Sequence, residues 1–159
     1  MRTPSVAETP KTRRTKSSEK PQPDLLYEAV SDPELAGEVL RRSKPFPVPA
    51  DGILFREGAA PNGIFFVRSG NITLTMRLAR RKILRARAEA GSLLGIPSTV
   101  SGKPYTMSAE ADSVAEIEHL SCDSYRELMH SRPDMSLNAV KILANEVRAV
   151  RQALIQFAK

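Results

Sequence analysis

Glycines and hydroxyl side chains crowd one stretch of the sequence, GSLLGIPSTVSGKPYTMSAEA, residues 91–111. Six of its residues carry a hydroxyl on Ser or Thr: Ser92, Ser98, Thr99, Ser101, Thr106 and Ser108. Glycine permits tight turns, and backbone amides and hydroxyls are groups that bind a phosphate or another anion. From Gly91 to Ala109, however, Lys103 is the only charged side chain. The stretch therefore predicts the shape of an anion-binding loop without the charged groups that make such loops bind tightly.

Candidate metal ligands and nucleophiles are few. His119 and Cys122 have a His-x-x-Cys spacing, but His130 falls at the end of a predicted helix and no fourth ligand is evident. Cys122 has no base or basic neighbourhood that would activate a thiol. We therefore expect structural or surface roles for all three residues, no metal or cofactor, and no enzymatic activity.

Length and composition indicate one domain with a hydrophobic core, because 41% of the 159 residues are hydrophobic. No apolar run approaches the roughly eighteen residues of a membrane span, and no signal sequence is recognisable. Cys122 is the only cysteine, so an internal disulfide is excluded. These features predict a cytoplasmic protein.

The net charge of +6 is concentrated in the N-terminal segment. Residues 1–20 contribute +4, which leaves +2 for the rest of the chain. The charge is therefore no evidence that the folded part binds DNA. Residues 1–23, rich in Pro, Ser, Thr and basic residues, are predicted to be a disordered tail. The tail either aids solubility or acts as a weak electrostatic arm for nucleic acid or anionic lipid.

The segments on both sides of this loop predict the folded domain that would position it, residues 24–159. Two short helices come first. Three apolar residues indicate the first: Leu25, Leu26 and Val30. The second, residues 31–43, starts with Ser31 or Asp32 as cap and Pro33 in the first turn, and it ends on two arginines.

Residues 53–118 have the pattern of short strands separated by turns of Gly, Pro and Asn. The segment ITLTMRL alternates, with one face formed by Ile72, Leu74, Met76 and Leu78. The predicted fold is mainly β, a jelly-roll-like β-roll (double-stranded β-helix) over about residues 45–120, flanked by N-terminal helices and by C-terminal helices over about residues 121–159.

Between two of these strands, RLARRKILRAR, residues 77–87, holds six basic residues and no acid. We interpret it as a hairpin with Ile83 facing inward. Its basic face is either simply solvated, a contact for an acidic partner, or a weak contact for nucleic acid, although it lacks the aromatics that stack on bases.

The last helix carries a heptad pattern typical of a two-stranded coiled coil. Its apolar positions are Val140, Leu143, Val147, Val150, Leu154 and Phe157. In this register Glu146 is at g and Arg151 at the following e, the spacing of an interchain salt bridge. The pattern predicts a homodimer; the alternative is a helix that packs on its own β-roll, towards which Ile142 and Ile155 could point.

The order of these parts resembles a cyclic nucleotide-binding domain, most closely that of bacterial Crp/Fnr-type regulators, over about residues 45–159. The most specific matching residues are Phe55, Glu57, Gly58, Pro61, Gly63, the segment IFFV, Ser69 and Gly70. Gly58 and Gly70 fall in tight turns where a positive φ is expected, and Glu57 is a candidate acceptor for backbone amides. In Crp/Fnr-type regulators the last helix leads into a DNA-binding domain, whereas this sequence ends at Lys159, so sequence-specific DNA binding is not expected.

In that family the ligand lies in a cassette of Gly-Glu, a small residue and, further on, an Arg followed by a hydroxyl or Ala. The Glu binds the ribose, and the Arg, helix amides and the hydroxyl hold the cyclic phosphate. The resemblance implies six ligand-contacting positions: Gly95, Ile96, Ser98, Thr99, Tyr105 and Thr106. Ile96 stands where the family has Glu, and Tyr105 stands where it has Arg. These two replacements make the pocket more apolar and predict that neither cAMP nor cGMP binds tightly.

The sequence as a whole therefore resembles a non-enzymatic regulatory or sensory module with a degenerate phosphate cassette. Two alternatives remain open: an interaction or scaffold module without a ligand, and a Crp/Fnr-type transcription regulator stripped of its DNA-binding domain. No membrane partner is expected.

Overall fold

Two sheets, four α-helices and one short 3₁₀ helix are present in the part of the chain that the computed structural model describes, residues 25–26, 32–81 and 83–157. The strands are β1 Leu25–Leu26, β2 Lys44–Phe46, β3 Ile53–Phe55, β4 Ile64–Ser69, β5 Ile72–Arg77, β6 Ile83–Ala88, β7 Leu93–Leu94, β8 Ser108–Ala111 and β9 Glu116–Leu120. The helices are α1 Pro33–Arg42, α2 Ile96–Ser101, α3 Cys122–Ser131 and α4 Met135–Phe157. The order of strands is β1-β6-β5-β8-β3 in one sheet and β2-β9-β4-β7 in the other. This arrangement confirms the predicted β-roll with flanking helices.

The core between the sheets is built from the inward side of each strand. Phe65 and Val67 of β4 pack with Ile72 and Leu74 of β5 and with Ile117 of β9. The alternation in β5 is confirmed, because Ile72 and Leu74 are buried at every second position. The tight turns are confirmed too, with φ of 85° at Gly58 and 93° at Gly70.

A second core joins the helices to the outer side of the β4–β9 sheet. Its buried members are Leu35, Val39, Ile64, Leu93, Ile96, Leu120, Tyr125, Leu128, Met135, Ala139 and Ile142. The caps that start α1 and α3 are side-chain acceptors, as the sequence predicts: Asp32 accepts from Leu35 N and Ser121 from Ser124 N. Met135 and Ala139 belong to this core, so the start of α4 packs on α1 and α3.

Ion pairs connect α1 to the junction between α3 and α4. Glu38, only 5% exposed, accepts from Arg41, Arg42 and Arg132. Arg132 also contacts Glu34 and Asp134. The hydrogen bond from Arg42 is the main cause that lowers the pKa of Glu38 below its usual value. The carboxylate therefore stays ionised in a nearly dry position.

Four local expectations differ from the structure. Leu25–Leu26 is not helical but forms β1, parallel to β6, because the edge of β6 offers unpaired backbone groups. Ile83 pairs with Arg77, so the inward positions of β6 are Leu84 and Ala86, and the prediction of an inward Ile83 is wrong. Ile155 is 51% exposed and does not face the β-roll, whereas Ile142 is buried. Strands β7 and β8 lie inside the stretch that is expected to be a loop. Their pairing with β4 and β5 forms strands there despite the turn-like composition.

The predicted basic tail, residues 1–23, and Val30 lie outside the described residues. Among the helices of the described part, none has the length and apolar character that crossing a bilayer requires.

Candidate functional site

A cavity of about 260 Å³ lies where the β-roll meets α2 and α4. Its walls come from Phe55, Leu74, Met76, Leu94, Gly95, Pro97, Ser98, Tyr105, Thr106, Met107, Glu146 and Val150. Strands supply the apolar floor, the segment after β7 supplies one side, and α4 closes the other. The cavity therefore connects the predicted ligand loop with the last helix.

Tyr105 is a fixed part of this wall. It is 3% exposed, and its ring stacks on Phe55 with centroids 4.2 Å apart and an interplanar angle of 20°. Its hydroxyl accepts from the backbone N of Asn62 at 2.8 Å and donates to the carbonyl of Gly63 at 3.1 Å. Burial raises the pKa of the phenol, so it remains protonated and able to donate. The hydroxyl thus has both partners inside the protein.

The backbone of Tyr105 is equally engaged. Its N–H donates to the carbonyl of Ala59 at 2.9 Å, and its own carbonyl accepts from Gly58 N at 2.8 Å. Residue 105 is therefore tied to the turn after β3 and, through the hydroxyl, to the start of β4. Two hydrogen bonds of the backbone and two of the hydroxyl therefore fix the position of Tyr105.

The turn into α2 requires glycine. Gly95 has φ of 86°, and a Cβ there would lie 2.8 Å from the carbonyl oxygen of Gly63 and 3.2 Å from the ring of Tyr105. The Gly95 carbonyl accepts from both the backbone N and the hydroxyl of Thr99, at 3.1 and 2.9 Å. Ser98, 4% exposed, donates its hydroxyl to the Pro104 carbonyl at 3.2 Å. These hydroxyl protons therefore hold the loop together instead of pointing at a ligand.

Four of the six predicted ligand residues lie on the cavity wall: Gly95, Ser98, Tyr105 and Thr106. The expectation that Ile96 lines the pocket is corrected, since its side chain is fully buried in the helical core. As the first residue of α2, which packs on α4, Ile96 faces the helices. Thr99 likewise lies on a different surface, near Val100, Tyr125 and Met129.

Much of the wall comes from residues that the loop motif does not contain. The inward alternation of β5 already places Leu74 and Met76 in the β-roll interior, so their contribution has a signal in the sequence. Glu146 and Val150 fall on the heptad seam, and nothing in their pattern points to the cavity. Only the three-dimensional placement of α4 brings them there.

The charge of the wall is unfavourable for an anion. Among the described residues that line the cavity there is no Lys or Arg, and Glu146 is the one charged side chain. Lys103, the one cation of the loop, is exposed and not part of the lining. Glu57 is used structurally, accepting from Arg77 N at 3.3 Å, in agreement with its predicted role as an amide acceptor.

The histidine and thiol side chains near the site make backbone contacts. His119 Nε2 lies 2.7 Å from the carbonyl oxygen of Asn62, and Cys122 Sγ donates to the Pro61 carbonyl at 3.6 Å. In the part of the chain that the structure describes, no three His, Cys, Asp or Glu side chains are grouped so that they could hold a metal.

Only part of the predicted seam lies on the outer face of α4. Val140, Val147 and Leu154 are 56%, 67% and 42% exposed, while Leu143 and Val150 are half-buried. Arg151 is exposed, and the side chain of Phe157 lies outside the described residues. Met135, Ala139 and Ile142 on the other side of the helix are buried. The helix thus packs on its own domain and still presents an apolar stripe.

Comparison with known proteins agrees with this architecture. The profile of the cyclic nucleotide-binding domain matches residues 45–132. No curated protein sequence matches the chain significantly. Among solved structures, the catabolite activator protein of Thermus thermophilus superposes with a TM-score of 0.68 at 22% identity, over 80% of this chain and 60% of that one.

Two further structures cover more of their own length. A cyclic nucleotide-binding domain from Methylobacillus flagellatus KT has a TM-score of 0.62 at 21% identity, covering 77% of this chain and 70% of that one. The N-terminal domain of a transcriptional regulator from Streptomyces coelicolor A3(2) has a TM-score of 0.58 at 19% identity, covering 83% and 95%. The chain thus spans about 60% of the Thermus protein and nearly all of the Streptomyces domain.

The family profile covers more than half of the chain, and the β-roll with its flanking helices agrees with the fold of the superposed structures. The predicted resemblance to Crp/Fnr-type domains is therefore confirmed, and this chain belongs to the cyclic nucleotide-binding domain family.

Proposed function

We propose that this chain is a non-enzymatic regulatory module that keeps the family's pocket but does not bind cAMP or cGMP tightly. One observation carries the proposal. At the position where the family cassette has its phosphate-binding Arg stands Tyr105, whose hydroxyl is bound on both sides by the backbone of Asn62 and Gly63. We propose that the contacts left for a ligand come from Gly95 and Thr106, because the hydroxyl proton of Ser98 is donated to Pro104.

The expected loss of affinity is large. A hydrogen bond to a charged group contributes about 1.5–3 kcal/mol, so loss of the Arg–phosphate and Glu–ribose contacts removes about 3–6 kcal/mol. That is on the order of 10²- to 10⁴-fold in the dissociation constant, which turns a micromolar site into a millimolar one.

We propose that α4 carries the response and forms a homodimer. Glu146 and Val150 belong both to the cavity wall and to the predicted seam. An occupant of the cavity would therefore contact the helix that pairs with a second copy. A change in the position of α4 would then change the dimer.

Thermal unfolding with and without nucleotide tests the proposal. At 1 mM cAMP, a site with a dissociation constant of about 1 μM would add about 4 kcal/mol of stability. In a domain of this size that raises Tm by about 8 °C or more, whereas a millimolar site raises it by about 1 °C. We expect the smaller shift with cAMP and with cGMP. A shift near the larger value with either nucleotide refutes the proposal.

A second candidate function, an interaction module for an acidic partner, is favoured by the β5–β6 hairpin. Its exposed arginines make no ion pair with the described residues: Arg77, Arg80, Arg81, Arg85 and Arg87. Six other arginines are paired with carboxylates: Arg41, Arg42, Arg56, Arg68, Arg126 and Arg132. Unpaired guanidinium groups on one surface are available to carboxylates of another molecule.

Binding of fluorescent poly-glutamate, measured by anisotropy, tests this second function. We expect Arg85→Ser/Arg87→Ser to weaken binding about tenfold or more at low salt. The matched control is Arg41→Ser/Arg126→Ser, which removes the same charge from exposed arginines elsewhere. Equal losses for the two variants would mean that net charge, not the hairpin, determines binding.

A further inference from the structure

The cavity wall is mainly hydrocarbon, aromatic ring and thioether. Phe55 and Tyr105 form a stacked aromatic pair on one side. Met76 and Met107 add two flexible, polarisable side chains that adapt to ring-shaped molecules and contact their edges. Such a wall favours an aromatic ligand, because rings gain both from area burial and from sulfur and edge contacts.

The polar groups of the wall leave little for an anionic ligand. The Tyr105 hydroxyl has an acceptor and a donor in the backbone, and Ser98 gives its proton to Pro104. Thr106 is exposed, and its hydroxyl has no partner among the described residues. With one such hydroxyl, and no Lys or Arg among the described lining residues, the wall suits a molecule with a single neutral polar group.

The cavity is held open by its own structure. Tyr105 cannot turn into the space, because its hydroxyl, its ring and its backbone are all fixed. Gly95 keeps the turn beside it, where a side chain would collide with Gly63. A molecule that fills this space therefore gains from burial of its own apolar surface against the wall.

Size limits the ligand. At about 260 Å³ the cavity is just below the range of about 300–1,000 Å³ that holds drug-sized molecules. A molecule of one ring or two fused rings fits within such a space.

We propose that the cavity binds an uncharged aromatic molecule of one or two rings, with its polar group towards Thr106 and its ring in contact with Val150 of α4. The inference rests on the proposed function, since it assigns a ligand class to the same pocket that is proposed not to bind cyclic nucleotides tightly. Val150 lies on the predicted seam, so this ligand would be the one that reaches the dimer helix.

Calorimetry with 2-naphthol and 2-naphthoate tests the ligand class, because the two probes share a ring system and differ in charge. For the full chain we expect saturable 1:1 binding of 2-naphthol with a dissociation constant of about 100 μM or lower, and at least about tenfold weaker binding of 2-naphthoate. No saturable binding of 2-naphthol, or equal binding of the two probes, overturns the proposal. cAMP is titrated into the full chain under the same conditions, and tight binding of cAMP would instead refute the proposed function.

Filling the cavity locates the binding. Met107→Trp is expected to reduce the affinity for 2-naphthol about tenfold or more, while Met129→Trp, the same change at another half-buried methionine outside the cavity, leaves it unchanged. If Met107→Trp fails to fold, Thr106→Phe at the exposed mouth is the second blocking variant. Unchanged affinity in the folded blocking variant places the binding elsewhere and contradicts the proposal.

Discussion

Tyr105 ties its loop to one segment of the chain, residues 55–63, which lies some forty residues earlier in the sequence. Its hydroxyl reaches Asn62 and Gly63, its amide reaches Ala59, and its ring covers Phe55. An Arg at this position would carry a charge that needs a bound anion or solvent. The neutral phenol occupies this position and forms its hydrogen bonds with the backbone of the chain itself. The loop therefore carries no uncompensated charge here when no ligand is bound.

Removing that hydroxyl is expected to destabilise the fold. Tyr105→Phe leaves the Asn62 amide and the Gly63 carbonyl without their partner, which costs about 1–3 kcal/mol of unfolding free energy. Urea unfolding measures the change. Tyr125→Phe is the matched control, because Tyr125 is also buried but has no hydroxyl bond among the described residues. We expect a change within about 0.5 kcal/mol there; equal costs in the two variants would contradict the role given to the Tyr105 hydroxyl.

At the scale of elements, the pairing of α1 with the α3–α4 junction depends on one nearly buried carboxylate. Glu38 faces Arg41 and Arg42 on its own helix and Arg132 at the end of α3, with Glu34 as the neighbouring acid. Its pKa is lowered, chiefly by the bond from Arg42. The stabilisation is therefore present above the unfolded pKa, about 4.3 for Glu, and is lost as the pH falls through the lower folded value.

Glu38→Gln is expected to remove this pH dependence. The variant should be less stable than the wild type at about pH 7, and the difference should shrink as the pH falls below about 4.3. Urea unfolding over that pH range gives the comparison. Glu127→Gln, at an exposed α3 position without an ion pair among the described residues, should show no such trend. A Glu38→Gln deficit that stays constant with pH would show that packing, and not ionisation, is what the substitution disturbs.

The apolar stripe of α4 makes a separate prediction about assembly. Val147, 67% exposed, contributes nothing to the core, so Val147→Glu should leave the protomer folded and dissociate the proposed dimer. Gln152→Glu adds the same charge at an exposed f position away from the stripe and should leave it intact. Sedimentation of the three proteins is the measurement. A wild type that is monomeric at micromolar concentration contradicts the dimer.

For the whole molecule, the sequence predicts the framework better than the details of the site. The alternation of β5, the caps of α1 and α3 and the turn glycines are local signals, and the structure confirms them. The strand at Leu25–Leu26 and the burial of Ile96 depend on which surface happens to lie opposite, which no local pattern encodes. The same holds for the cavity wall on α4, where Glu146 and Val150 approach a loop some fifty residues away in sequence.

The replacement of Arg by Tyr105 is visible in the sequence, yet its consequence is not. The sequence predicts a weaker anion site, and the structure adds the reason why the residue cannot move aside, namely the bonds to Asn62 and Gly63. Those partners lie some forty residues earlier, and their proximity follows only from the packing of β4 against the loop. In the proposed function, this fixed position of Tyr105 is what prevents tight binding of a cyclic nucleotide.

Calorimetric titration of the full chain with cAMP, beside the variant Tyr105→Arg, tests the central claim most directly. For the wild type we expect a dissociation constant of about 1 mM or higher. For the folded variant we expect a dissociation constant lower by about tenfold or more, because the guanidinium can pair with the phosphate. A wild-type dissociation constant below about 10 μM would contradict the account, since a site of that strength needs the charge that Tyr105 does not supply.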